Sequence, residues 1–395
     1  MGNSKRLLIV VTQAEWGGVQ GYVARCAAEA KRRGFEVLVA AGGTGELESR
    51  CLNNGIPYRR LSRLRRDISP FADVSAIREL VALMREWRPD VVYLHSSKAG
   101  IIGSIAARIA KVPRVVYRIG GWSFLDPVSP LQKIIRRWSE KLTAGMKDVI
   151  ITVHPGDEEL ARRVGIRPRE ALVTVANGID LNAFDANLLS RDDARALLRG
   201  LWREGVPSHA SMDEHDQLVL TVANFYPAKN LIGYLDAVKL INKERPRTRF
   251  LIIGDGESRT QLQTERAALG LDAIVSLPGK RDDAASLLQG ADAFVLPSVK
   301  EGMSWAVLEA MAASLPCVVT DVGANRWMAE DACAVVPPRD HQALAHAILR
   351  LLDDKTAADR SGARARNVIE RRFTDRAMWD ATFNALLPPG TTAAV

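Results

Sequence analysis

The chain has 395 residues, 47% apolar and 25% charged, a composition that suits a folded protein of two domains and excludes a disordered or low-complexity chain. Its four cysteines, Cys26, Cys51, Cys317 and Cys333, are scattered without a Cys-x-x-Cys pair or clustered histidines, which argues against a disulfide framework or a structural zinc site and predicts buried, reduced thiols. The net charge of +8 is uneven: residues 1–180 carry 29 Lys plus Arg against 18 Asp plus Glu, a net of +11, and the rest carry 25 against 28, a net of −3. A basic amino-terminal half predicts a phosphorylated or membrane-borne partner, or simply an arginine-rich solvated surface. No apolar run has transmembrane length, and Arg6 stands where a myristoylation signal needs Ser or Thr, so the expected location is the cytoplasmic side.

In chain order, residues 5–11 read as a buried strand, which runs through Gly17 and Gly18 into a helical pattern over 22–33. A paired glycine between strand and helix lets backbone approach a phosphate, although glycines often only make the turn. A strand over 36–40, a helix over 47–54 and a strand over 58–61 continue an alternation that implies a mostly parallel sheet. Arg59, Arg60, Arg63, Arg65 and Arg66 then form either a solvated loop or a contact for an anionic lipid or pyrophosphate. After a helix over 74–87, a strand beginning near Asp90 delivers His95 and Lys98 into a polar turn. The strand over 114–117 ends in Arg118, Ile119, Gly120, Gly121 and Trp122. Residues 131–142 mix apolar and basic residues at helical spacing around Trp138. That pattern fits a helix at a membrane interface, or a core-facing stripe with snorkelling cations.

A strand over 149–153, a helix from about 157 and a strand over 172–175 lead to a hinge near residues 180–190. The second series begins with a strand over 218–222 and a turn carrying Asn224 and Lys229. Residues 250–253 run into Gly254 and Gly256, an incomplete dinucleotide fingerprint because Arg259 fills the third glycine position. Lys280 follows another strand, and a final helical stretch covers about 374–387.

The richest segment is 297–316, PSVKEGMSWAVLEAMAASLP, read as strand end, turn, helix and next strand. Ser304 is a suitable N-cap, and Trp305, Leu308, Ala312 and Leu315 recur at helical spacing. The amides of Gly302, Met303 and Ser304 precede the helix and favour an anion such as phosphate. Glu301 in the same turn would repel phosphate, so it suits hydroxyls instead, and the combination points to a ligand with both phosphate and polyol parts. Glu301-Gly302-Met303-Ser304 followed by Leu308-Glu309-Ala310-Met311-Ala312 resembles the Glu, seven residues, Glu signature of retaining GT-B glycosyltransferases of family four.

That resemblance implies an α/β fold of two Rossmann-like, doubly wound domains facing a cleft. Residues 1–183 would be the acceptor-side domain and 184–373 the nucleotide-sugar domain, with a terminal helix at about 374–388 packing back on the first. It implies a hexosyltransferase that moves a sugar from a nucleotide diphosphate, expected to be UDP, to a hydroxyl acceptor. A lipid-linked glycan in surface polysaccharide synthesis is the expected acceptor, reached at the inner membrane surface. The implied donor site comprises Gly17, Gly18, Asn224, Lys229, Lys280, Glu301, Gly302, Met303, Ser304 and Glu309, with Glu301 at the sugar, Glu309 at the ribose and Lys229 at the diphosphate. Arg118 joins Lys229 and Glu301 as a catalytic candidate. His95, Lys98, Gly120 and Trp122 are acceptor-side candidates, and a structural role for His95 is an equal expectation. Two positions depart from the family pattern: Gly120 stands where a histidine is common, and Asn224 where an arginine partners the lysine. No metal, cofactor or nucleic-acid partner is expected. The same fold also admits a nucleotide-sugar epimerase or an inactive sugar-nucleotide-binding scaffold.

Overall fold

A computed structural model describes residues 4–67, 69–207 and 211–388. The chain divides into two compact units: one ends at Ala176 and regains the chain at Ala377, and the other is Asn177–Arg376.

The first unit contains β1 (Arg6–Val11), α1 (Gly18–Arg32), β2 (Glu36–Gly42), α2 (Glu46–Asn53), β3 (Tyr58–Leu61), α3 (Pro70–Trp87) and β4 (Val91–His95). It continues with α4 (Ser97–Ile109), β5 (Arg114–Arg118), α5 (Pro130–Ala144), β6 (Val149–Thr152), α6 (Pro155–Val164) and β7 (Ala171–Thr174). The seven strands pair in parallel in the order β3-β2-β1-β4-β5-β6-β7. Near-continuous apolar strands such as Leu7 to Val11 and Val91 to Leu94 are buried throughout, as expected of strands covered on both faces. On one face Leu8, Val10, Val92, Leu94 and Tyr117 pack with Leu80, Met84, Ile102 and Ala106 from α3 and α4.

The second unit contains α7 (Leu181–Asn187), α8 (Arg191–Gly205), β8 (Gln217–Val222), α9 (Leu231–Glu244), β9 (Thr248–Ile253), α10 (Arg259–Ala268), β10 (Val275–Gly279) and β11 (Ala293–Leu296). Then come α11 (Trp305–Ala312), β12 (Cys317–Thr320), α12 (Asn325–Ala329), β13 (Ala334–Val336), α13 (His341–Asp353) and α14 (Lys355–Arg372). Its six strands are also parallel, in the order β10-β9-β8-β11-β12-β13. The last helix, α15 (Asp375–Leu386), joins the first unit from Ala377 on. There Phe383 meets Phe35 at 5.7 Å between ring centroids, Trp379 meets Tyr22 at 5.3 Å, and Arg114 donates to the carbonyl of Ala385.

Each sheet has one point where the strand order reverses: between β1 and β4 in the first unit, and between β8 and β11 in the second. Loops leaving the carboxyl ends of those neighbouring strands diverge to opposite sides and open a crevice, the usual ligand position in such sheets.

Helix α5 departs from the core-facing expectation. Leu131, Ile134, Ile135, Trp138 and Leu142 are all exposed, and its buried residues are Glu140, Thr143 and Ala144. Two of the five clustered arginines form surface pairs: Arg59 with Glu86, and Arg60 with Glu48. Gly254 and Gly256 also acquire a structural reason. Both have φ near +150°, and a Cβ on Gly254 would lie 1.8 Å from the carbonyl oxygen of Ala223. They let this loop close on the turn after β8, where Phe225 donates to Asp255 O and Ser258 donates to Phe225 O.

Candidate active site

In the second unit, Lys229 lies in the turn after β8 and Glu301 in the turn after β11, so the strand reversal brings together two residues 72 apart in sequence. Lys229 Nζ donates to Glu301 Oε1 at 2.6 Å, and Ser298 Oγ donates to the same oxygen at 2.5 Å. The side chains are largely enclosed, at 20% and 9% exposure, so the pair is shielded from solvent without being sealed. Two donors on one oxygen fix the carboxylate plane and leave Oε2 outside this pair of bonds.

The turn carrying Glu301 is held from several sides. Thr320, at the end of β12, donates to Ser298 O at 2.6 Å, and Asn325 Nδ2 donates to Thr320 O at 3.0 Å. Val299 N donates to Ala228 O at 2.8 Å, tying the turn to the one that carries Lys229. Asn177 donates from Nδ2 to Met303 O at 2.9 Å and from its amide to Met303 Sδ at 3.1 Å. Ala324 N donates to Gly302 O at 2.7 Å. This approach requires glycine at 323: its φ is +55°, and a Cβ would stand 2.5 Å from Gly302 O and 2.6 Å from Glu301 O.

Ser304 caps α11, its hydroxyl accepting from Val307 N, and no acidic residue occupies the first turn. Among the described residues, the amides of Gly302, Met303 and Ser304 donate to no protein acceptor. These amides, the helix terminus and the Lys229 ammonium form an electropositive rim beside one fixed carboxylate. Glu309 lies half-buried on α11, Asn224 half-buried after β8, and Lys280 exposed just beyond β10. Thus the structure brings Lys229, Glu301, Gly302, Met303 and Ser304 into one cluster. Ser298, Thr320, Gly323, Asn325 and Asn177 were not predicted as site residues. Their signal in the sequence is small polar residues at the carboxyl ends of strands and a glycine facing the signature turn.

The first unit's reversal point is built differently. Gly17 is the extended N-cap of α1 and offers no side-chain cap, and Gly18 opens the helix with no acid in its first turn. Across the sheet, the Thr12 and Ser96 hydroxyls are bonded to each other, and Ala99 N donates to Thr12 Oγ1. His95 ends β4 at 2% exposure, with its ring 4.2 Å from that of Tyr93 and 5.4 Å from that of Tyr22. Its Nε2 has no hydrogen-bond partner among the described residues. Burial, and then the nearby Arg118 charge, push its pKa well below the usual histidine value, so the ring is neutral. Arg118 ends β5 at 4% exposure, its guanidinium 4.4 Å from the centre of the Tyr22 ring. Lys98 pairs with Asp73 at 2.5 Å and donates to Asp67 O. Gly120 is exposed, with open space where a Cβ would project. Trp122 corrects the acceptor-side expectation: it is fully buried, stacks on Phe124 and donates its indole N–H to Asp157 O at 2.9 Å. It supports the loop from beneath.

Among the described residues, no group of three or more His, Cys, Asp or Glu side chains is arranged to hold a metal. No helix among them is long and apolar enough to cross a membrane.

Residues 17–178 match the glycosyl transferase 4-like domain, and residues 216–354 match glycosyl transferases group 1. The chain is 32% identical over 328 residues to the UDP-Gal:alpha-D-GlcNAc-diphosphoundecaprenol alpha-1,3-galactosyltransferase of Escherichia coli, covering 81% of each chain. It is 24% identical to the capsular polysaccharide biosynthesis glycosyltransferase CapM of Staphylococcus aureus, over 80% of this chain and 81% of that one. In fold it matches Anabaena HepE in complex with UDP and glucose, with a TM-score of 0.81 at 19% identity, covering 97% of this chain and 99% of that one. The chain therefore belongs to the GT-B glycosyltransferases of family-four type, among relatives that build bacterial surface polysaccharides.

Proposed function

We propose that this glycosyltransferase moves a hexose, with retention of anomeric configuration, from a UDP-sugar to a hydroxyl of a lipid-linked glycan at the cytoplasmic membrane surface. UDP as the donor nucleotide is supported by the Escherichia coli relative, which uses UDP-Gal, and by HepE, which was solved with UDP. The diphosphoundecaprenol acceptor of that relative supports the lipid-linked acceptor. The observation that carries the reading is the Lys229–Glu301 pair beside the free amides of residues 302–304.

In this reading the second unit binds the donor. Lys229 and the three amides take the diphosphate and stabilise the negative charge that grows on it as the bond to the anomeric carbon breaks. The bonding electrons leave with UDP, the acceptor oxygen attaches on the same face, and its proton passes to the departing phosphate oxygen. Glu301 accepts from sugar hydroxyls, and Glu309 from the ribose. The sugar position requires a carboxylate that does not swing, which Ser298 supplies. Gly17, Gly18, Asn224 and Lys280 are assigned to the donor's periphery. His95, Lys98, Arg118 and Gly120 belong to the acceptor-side unit, where Arg118 holds the aromatic cluster around Tyr22.

Calorimetric titration with UDP, GDP and their sugars tests this reading. UDP should bind saturably to the wild-type protein. Lys229→Ala and Glu309→Ala should each weaken it about tenfold or more, the scale of one lost charge-assisted hydrogen bond. Folded protein that binds no nucleotide would refute it.

A further inference from the structure

Helix α5 turns its apolar stripe away from the domain. At about 100° per residue, Leu131, Ile134, Ile135, Trp138 and Leu142 fall within an arc of about 100°, and Glu140 lies opposite its centre. The five are 67%, 50%, 44%, 49% and 70% exposed, and Glu140 is fully buried. The helix is thus anchored by its polar side: Glu140 Oε1 accepts from Tyr117, and Arg136 bonds to Asp126 and Ser123 O. A Ser129 capping box holds its first turn, so this is a formed helix with an uncovered stripe.

Cations border one edge of the stripe. Arg137 and Lys141 are exposed there, and the Lys141 ammonium stands 5.2 Å from the Trp138 ring. The only acidic residue of α5 is the buried Glu140. The same pattern recurs at the first turn of α3. Phe71 is 90% exposed there and follows the exposed Arg65 and Arg66. Because the strands are parallel, α3 and α5 both follow the carboxyl ends of their strands, β3 and β5, with β2, β1 and β4 between those two strands.

An apolar stripe with tryptophan and a cationic border matches the boundary between acyl chains and anionic headgroups. A second copy fits less well, because a two-fold pairing of this surface with itself would set its cations against one another. We infer that α5 is the membrane-docking helix of this protein, with the stripe in the acyl boundary of an anionic bilayer and Arg137 and Lys141 at the headgroups. The inference rests on the membrane-borne acceptor of the proposed function, and supplies the surface through which the first unit would reach it.

Co-sedimentation of the full chain with vesicles of phosphatidylcholine, alone or mixed three to one with phosphatidylglycerol, tests it. Wild-type protein should partition onto the mixed vesicles. Leu131→Ser, Ile134→Ser and Leu142→Ser together should reduce that partition about tenfold or more. Arg137→Glu with Lys141→Glu should remove the preference for phosphatidylglycerol, and Leu197→Ser, at an exposed leucine of the second unit, should change nothing. UDP titration of every variant separates the two ideas: intact UDP binding without vesicle binding overturns the docking surface alone, and stripe-dependent vesicle binding without UDP binding overturns the donor reading alone. Wild-type protein that ignores anionic vesicles, a stripe variant that binds like wild type, or a stripe-dependent dimer in gel filtration would each overturn the inference.

Discussion

Glu301 meets two donors on one oxygen, and each constrains it differently. Ser298 is fully buried and cannot follow a ligand, whereas the Lys229 ammonium can turn toward an arriving diphosphate. In the proposed donor site, the bond from Ser298 would keep the carboxylate in position as Lys229 turns to the diphosphate. Gly323 protects the same geometry from behind. Gly323→Ala places a Cβ against two carbonyl oxygens in a left-handed conformation, so it should lower stability by about 1–3 kcal/mol and weaken UDP binding as the turn shifts. Thermal unfolding and calorimetry on one preparation check both effects.

His95 gives a pH signature. Its folded-state pKa is depressed, so the unfolded chain takes up the proton first as pH falls. The resulting stability is fully present above the ordinary histidine value of about 6.5 and is lost as pH falls from there toward the folded pKa, at up to about 1.4 kcal/mol per pH unit. His95→Asn should flatten this dependence in urea unfolding between pH 5.5 and 7.5; an unchanged slope would show that the imidazole is not the titrating group. At this scale the sequence was legible where a residue bears charge. Glu301 and Lys229 stand out by type and by their place after strands. Ser298, Thr320 and Gly323 do not, because what singles them out is contact across strands that only the sheet order creates.

Helices α5 and α15 show how an element's pattern and its partner are separate information. The spacing of Leu131, Ile134, Trp138 and Leu142 gives a stripe in the sequence, yet periodicity is the same whether the stripe meets a core or faces outward. The deciding contacts are those of Glu140 and Arg136 on the other side. In α15 the apolar face does find its core: Phe383 is fully buried against Phe35 and beneath the Arg33 guanidinium, 4.7 Å away. Phe383→Ala should therefore cost about 3–5 kcal/mol in chemical denaturation, with the loss falling on the first unit's transition. A loss under about 1 kcal/mol would mean that the helix is peripheral to that core. Strand β13 was missed from sequence because three residues are too short to show a period; its parallel pairing with β12 supplies what local pattern lacks.

Across the whole molecule, strand-helix alternation made the two parallel sheets readable, because buried parallel strands are apolar along their length and their crossovers are helical. Strand order was not readable, and it is strand order that puts the turns after β8 and β11 side by side. The proposed chemistry rests on that neighbourhood: a lysine and a row of amides assigned to a diphosphate, and an immobilised carboxylate assigned to hydroxyls. Retaining transfer is tested most directly by product analysis by NMR after incubation of the protein with UDP-sugars and lipid-linked glycan acceptors. UDP release should be matched one for one by a new glycosidic bond of the donor's own anomeric configuration, and Glu301→Ala should lose turnover by about a hundredfold or more. Sugar isomerised without an acceptor, or product of inverted configuration, would contradict retaining transfer.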